Sequence, residues 1–93
     1  MLYPSLDHKK LNLVVSELRN KGLWAERHSY SIRIMYAREF VASLHLYPGF
    51  NEAVLRLYGK PEANKLVLEA VESALGKHLP GLFVKLVFIK RFG

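Results

Sequence analysis

The sequence predicts one α+β domain over residues 1–93, with elements in the order α-β-β-β-β-α-β. The expected architecture is an antiparallel meander sheet with both helices packed on one face. Three observations carry this reading. Residues 40–58, FVASLHLYPGFNEAVLRLY, hold two alternating runs separated by Pro48-Gly49-Phe50-Asn51, the pattern of a β-hairpin. Two other stretches repeat apolar residues at helical spacing, one before the strands and one after the hairpin. Ninety-three residues suffice for a single core but not for a core plus a deep cleft.

Taken in order, Ser5 or Asp7 can cap a first helix that runs to about Lys21. Leu11, Val14, Val15 and Leu18 form its apolar stripe, and Gly22 suits the left-handed residue after its last turn. Leu23 to Arg27 reads as a strand, with Trp24 and Glu26 on one side and Leu23, Ala25 and Arg27 on the other. A tight turn at His28-Ser29-Tyr30 leads to a strand over Ser31–Ala37, where Ile32, Ile34 and Tyr36 alternate with Ser31, Arg33 and Met35. Arg38-Glu39 then links into the hairpin.

Setting Leu44 opposite Leu55 turns Phe40, Ala42, Leu44, Leu46, Ala53, Leu55 and Leu57 toward the helices. Val41, Ser43, His45, Tyr47, Val54, Arg56 and Tyr58 then share the other face. Gly59-Lys60-Pro61-Glu62 marks the start of the second helix, because proline in the first turn forfeits no hydrogen bond. Its stripe is Ala63, Leu66, Val67, Ala70, Val71, Ala74 and Leu75, and Gly76 to Pro80 end it.

Residues 82–92 form the last strand, apolar on both faces: Leu82, Val84, Leu86 and Phe88 on one, Phe83, Val87 and Ile89 on the other, with Lys85 interrupting the second. It can pair antiparallel with the first strand, in sheet order 5-1-2-3-4, or parallel beside the fourth; the first is preferred because antiparallel pairs outnumber parallel ones. The expected core is Leu11, Val14, Val15, Leu18, Ile32, Ile34, Leu44, Leu46, Leu55, Leu57, Leu66, Val67, Ala70, Val71, Leu86 and Phe88. Phe83, Val87 and Ile89 are then an oligomer interface, covered in a homodimer or as a subunit of a protein assembly.

Fourteen Lys and Arg against eight Asp and Glu give a net charge of +6 and a pI near 9.8. That balance points to a polyanionic partner, nucleic acid first. The chain has no cysteine, which excludes disulfides, thiolate catalysis and Cys-based metal sites. Glutamine and threonine are missing too, and the lack of Cys and Gln beside many Lys, Arg and Glu matches hyperthermophile composition. No apolar run approaches the ~20 residues of a membrane span, and the N-terminal residues lack the pattern of a secretory signal. A cytoplasmic protein with no membrane partner is expected.

Catalysis is not expected. Asp7, the only aspartate, is explained by capping, and no two glutamates are spaced for acid–base work. His8, His28, His45 and His78 lie on four different elements without ligand spacing, so no metal and no cofactor are expected. No serine has a nucleophile-elbow context, and no glycine-rich phosphate loop is present.

The second sheet face is more informative. Arg33, His45, Tyr47, Arg56 and Tyr58, extended by Trp24 and Phe50, are the parts of a platform for single-stranded DNA or RNA. Rings stack on bases and guanidinium groups meet phosphates, with little sequence specificity. The same residue types also favour protein contacts, so the alternative is a non-catalytic interaction module, a small subunit of a larger, nucleic-acid-processing assembly. Cross-strand aromatic and arginine pairs also stabilise solvent-facing sheets that bind nothing. In architecture, two helices on one face of an antiparallel sheet resemble RNA-recognition motifs, double-stranded-RNA domains and half of a TATA-binding fold. The K/R-G-F/Y-G/A-F-V-x-F/Y run of the first is absent, and the element order differs from it.

Overall fold

The computed structural model describes residues 7–90. Ser5 as a cap, and Arg91 and Phe92 at the end of the expected last strand, lie outside the described residues. The elements run α1 (His8–Asn20), β1 (Trp24–His28), β2 (Ser31–Tyr36), β3 (Glu39–Tyr47), β4 (Glu52–Leu57), α2 (Pro61–His78) and β5 (Phe83–Phe88). They build one five-stranded sheet with both helices against the same face.

Local chemistry explains the helix ends. Asp7 caps α1, its carboxylate accepting from the Lys10 amide at 2.8 Å. At the other end Gly22, with φ of +89°, closes a Schellman turn. Its amide donates to the Arg19 carbonyl, and the Leu23 amide donates to the Leu18 carbonyl. Leu23 itself is buried, so the turn also fastens the helix to the core. Helix α2 opens with Pro61 in its first turn after Lys60, whose side chain makes no capping bond. It continues through Gly76 to His78, slightly beyond the expected end.

Over β1 to β4 the covered face is closed. Ala25, Ile32, Ile34, Ala42, Leu44, Leu46, Ala53, Leu55 and Leu57 from four strands meet Leu11, Val14, Val15 and Leu18 of α1. Val67, Ala70, Val71, Ala74 and Leu75 of α2 complete the layer, all buried. α1 lies over β1, α2 reaches β3, and the two helices pack on each other. The β3–β4 register is the expected one, with Leu44 opposite Leu55, Ser43 opposite Arg56 and His45 opposite Val54.

Three expectations are overturned. The sheet order is β1-β2-β3-β4-β5, with β5 parallel to β4 rather than antiparallel to β1. The 18 residues of α2 reach about 27 Å at ~1.5 Å each, enough to carry the chain back along the sheet. The strand that follows therefore starts at the same end as β4 and runs the same way, which suits either edge of the sheet; it lies beside β4, completing a βαβ unit. Asn51 fixes the start: its carbonyl accepts from the Phe83 amide at 2.9 Å, and its side-chain amide donates to the Gly81 carbonyl at 2.8 Å.

That placement takes Leu86 and Phe88 out of the expected core. They point to the helix side but lie beyond its cover, 42% and 65% exposed. Leu66 of α2, also expected inside, is only half buried against the core.

The third correction lies between β2 and β3. The turn is Ala37-Arg38, both at positive φ, rather than Arg38-Glu39. A β-bulge follows: Ile34 pairs with Ala42, but Met35 pairs with Phe40, which leaves Val41 as the extra residue. Val41 and Ala42 are consequently both buried, and Phe40 moves to the open face. Strict alternation predicts the reverse, with Val41 on the open face and Phe40 turned toward the helices.

Candidate nucleic-acid interface

On the open face, the strand registers line the side chains up in rows across the sheet. The central row runs Glu26, Arg33, Ser43, Arg56 and Val87. Arg33 and Arg56 thus flank Ser43, with Cα atoms roughly 10 Å apart at the ~4.8 Å spacing of neighbouring strands. Neither arginine forms an ion pair among the described residues, whose ion pairs join Lys77 and His78 to Glu17 and Lys85 to Glu52. Arg33 instead lies over the Phe40 ring, its guanidinium carbon 5.5 Å from the centroid.

Aromatic groups border this row on both sides. Toward the β3–β4 loop stand His45 and Tyr47, ring centroids 4.6 Å apart. The Ser31 hydroxyl and His45 Nδ1 are hydrogen-bonded, which fixes the imidazole against the sheet. Among the described residues no carboxylate is bonded to that imidazole. Toward the bulge stand Phe40 and Tyr58, centroids 4.9 Å apart, with Met35 and then Trp24 at the β1 edge. Trp24 is 52% exposed, and one ring face carries the Arg19 guanidinium 4.2 Å from its centroid.

Because β5 joins at β4, Phe83, Lys85 and Val87 extend the same face. Lys85 is 3.7 Å from Glu52, so much of its charge is answered within the chain. Phe83 is 62% exposed, Val87 half buried, and Ile89 exposed just past the strand.

Of the sequence-predicted site residues, Arg33, His45, Tyr47, Arg56, Tyr58 and Trp24 share this surface. Phe50 does not: it projects from the β3–β4 loop, 72% exposed. Sequence reasoning missed Phe40, which the bulge brings between Arg33 and Tyr58. A signal for it existed, since Phe40-Val41-Ala42 breaks the alternation that the rest of β3 keeps. The histidines stay apart, and among the described residues no three His, Cys, Asp or Glu gather as metal ligands.

At the end of the sheet near the start of α2, a cavity of about 600 Å³ opens between Tyr36, Val41, Tyr58 and Ala63. Lys60, Lys90, Glu39 and Glu62 ring it, so its charge is mixed. Among the described residues no helix is long and apolar enough to cross a membrane. Comparison with family models, with curated proteins and with solved structures yields no match.

Proposed function

We propose that this is a non-catalytic protein that binds single-stranded nucleic acid on the open sheet face, with little sequence preference. The observation that carries the reading is the central row: two guanidinium groups on either side of β3, with no ion pair among the described residues, bordered above and below by rings. With no carboxylate partner among the described residues, Arg33 and Arg56 can meet phosphates, and Tyr47, His45 and Tyr58 offer faces or edges to bases. The net charge of +6 favours the same kind of partner at longer range. A broad, gently twisted sheet suits splayed bases and does not enter a duplex groove, whose floor is reached by a helix or a two-stranded ribbon.

Fluorescence anisotropy with a labelled oligonucleotide, titrated at several salt concentrations, tests this. Single strands are expected to bind more tightly than duplex of the same sequence. The logarithm of the affinity should fall with the logarithm of salt at about 0.7 per phosphate neutralised. Equal, weak binding to both forms would leave only a basic surface and refute the platform. If a protein partner occupies this face instead, replacing Arg56 or Tyr58 will disrupt an assembly while hardly altering nucleic-acid affinity.

A further inference from the structure

The two edges of the sheet are treated differently by the chain. At β1, Arg19 reaches from α1 and donates its Nε–H to the Ala25 carbonyl at 3.0 Å. Arg27 is held there as well, bonded to Asn12 Oδ1 and the Ser29 carbonyl. These are the charged, covering devices that keep an edge strand from pairing with a stranger. β5 has little of this: it contains no proline and no bulge, and its one lysine, Lys85, stands half exposed 3.7 Å from Glu52. It is apolar on both faces, with Phe83, Leu86, Phe88 and Ile89 all exposed.

The hydrogen bonds show which backbone groups are free. The amides of Phe83 and Ile89 donate inward, to Asn51 and Leu57. By the two-residue alternation of a strand, Val84, Leu86 and Phe88 turn their N–H and C=O groups to the open edge.

We propose that this edge pairs with β5 of a second copy, antiparallel about a two-fold axis through Leu86, which joins two sheets into one of ten strands. The side chains select both the partner and the register. Around Leu86 the strand reads nearly the same in both directions: Leu86 meets Leu86 of the other copy, Val84 meets Phe88, Lys85 meets Val87, and Phe83 meets Ile89. Apart from Lys85 against Val87, apolar residues face apolar residues, and no like charges are directly opposed. Outward-facing backbone groups meet as hydrogen-bonded pairs, giving about six new bonds. A register centred on Lys85 sets two lysines face to face, which is destabilising. A register centred on Val87 sets Val84 against Lys90 and takes Phe83 away from Ile89.

On the helix side, Leu68, Pro61 and Phe88 line a shallow groove between α2 and β5. In the Leu86-centred pair that groove lies beside Val84 of the second copy, so contact continues beyond the strands. A two-fold axis perpendicular to the sheet puts both open faces on the same side. Self-pairing does not depend on what the open face binds.

The test needs no nucleic acid. Sedimentation equilibrium at micromolar concentrations is expected to give twice the 10.7 kDa of one chain. Leu86→Pro removes an outward amide but none of the bonds to β4, so it should give a monomer with an unchanged circular-dichroism spectrum. If that variant fails to fold, single cysteines decide, since the chain has none of its own. Lys85→Cys and Val87→Cys, mixed and then oxidised, should cross-link to each other. Neither should cross-link alone, because like positions lie ~7–8 Å apart on the diagonal, beyond disulfide reach. A monomeric native chain, a dimer indifferent to Leu86→Pro, or self-cross-linking of either cysteine variant would overturn the proposal.

Discussion

The two faces of this sheet are made from the same strands, and alternate residues of each strand meet opposite fates. In β4, Ala53, Leu55 and Leu57 are fully buried, while Val54 and Arg56 between them stay half exposed. The covered face closes over one apolar cluster with two helices. The open face has no helix over it and fills its area with rings laid against one another and with arginines that form no ion pair among the described residues. Folding free energy therefore accrues mainly on one face, and the groups available to a ligand stand on the other. The contrast implies that stability and binding can be damaged separately.

The largest expected effect belongs to the covered face. Leu55→Ala should destabilise the fold by ~2–5 kcal/mol, because the side chain is wholly buried and its neighbours can close the void only in part. Denaturant unfolding measures this. The protein that remains folded should bind an oligonucleotide as before, and a fall in that intrinsic affinity would break the separation.

Next comes the seam where the bulge turns Val41 inward. A methyl group on Gly59 would stand 3.1 Å from Ala63 Cβ, 3.1 Å from Asn64 Oδ1 and 3.3 Å from Val41 Cγ1. Gly59→Ala should cost about 1–3 kcal/mol, as overpacking does in tight sites. It would also strain the 3.0 Å bond from the Gly59 amide to Asn64. A thermal melt no different from the native one would show that α2 does not start where Val41 meets it.

The ability to read the molecule from its residues followed the same division. The stripes of α1 and α2 and the Leu44–Leu55 register were legible because a single periodicity governs each stretch, and burial follows from it. Phe40 and Val41 were misassigned because a one-residue bulge reverses every face before it, and strict alternation takes no account of bulges. The place of β5 was not legible either. Its two apolar faces fit any neighbour, the direction set by α2 suits either edge, and the hold of Asn51 is what ties its start to β4. The misplaced core residues, Leu86 and Phe88, follow from that one error. Arg33, Arg56, Tyr47 and Tyr58 could be grouped from sequence because the meander order alone sets them side by side.

Smaller effects sharpen the open face. Arg56→Ala should leave stability nearly unchanged, since the side chain is only half buried and makes no ion pair among the described residues. If Arg56 meets a phosphate, the substitution should flatten the salt dependence by about 0.7 on a single strand. An unaltered slope would remove Arg56 from the binding surface.

The smallest effect is on neither face. Glu17 of α1 is 2.9 Å from Lys77 and 3.6 Å from His78 of α2. The hydrogen bond from Lys77 is the main reason that its carboxyl titrates below its ordinary value. Because the folded value is the lower one, this tie stabilises the helix pair at neutral pH. The contribution is lost as pH falls through the lowered titration range. Glu17→Gln should therefore be slightly less stable than the native chain at pH 7 and equal to it in strong acid, as paired denaturation curves would show.

The tyrosines test the central claim most directly. Tyr47→Ala and Tyr58→Ala should each weaken single-strand binding by ~1–3 kcal/mol, the worth of one base stack, while the salt slope stays as it was. Measured by anisotropy beside an unfolding curve for each variant, a loss of affinity in a protein that is still folded is the result expected. Full affinity retained in both variants would contradict the account and leave the open face without a stacking role.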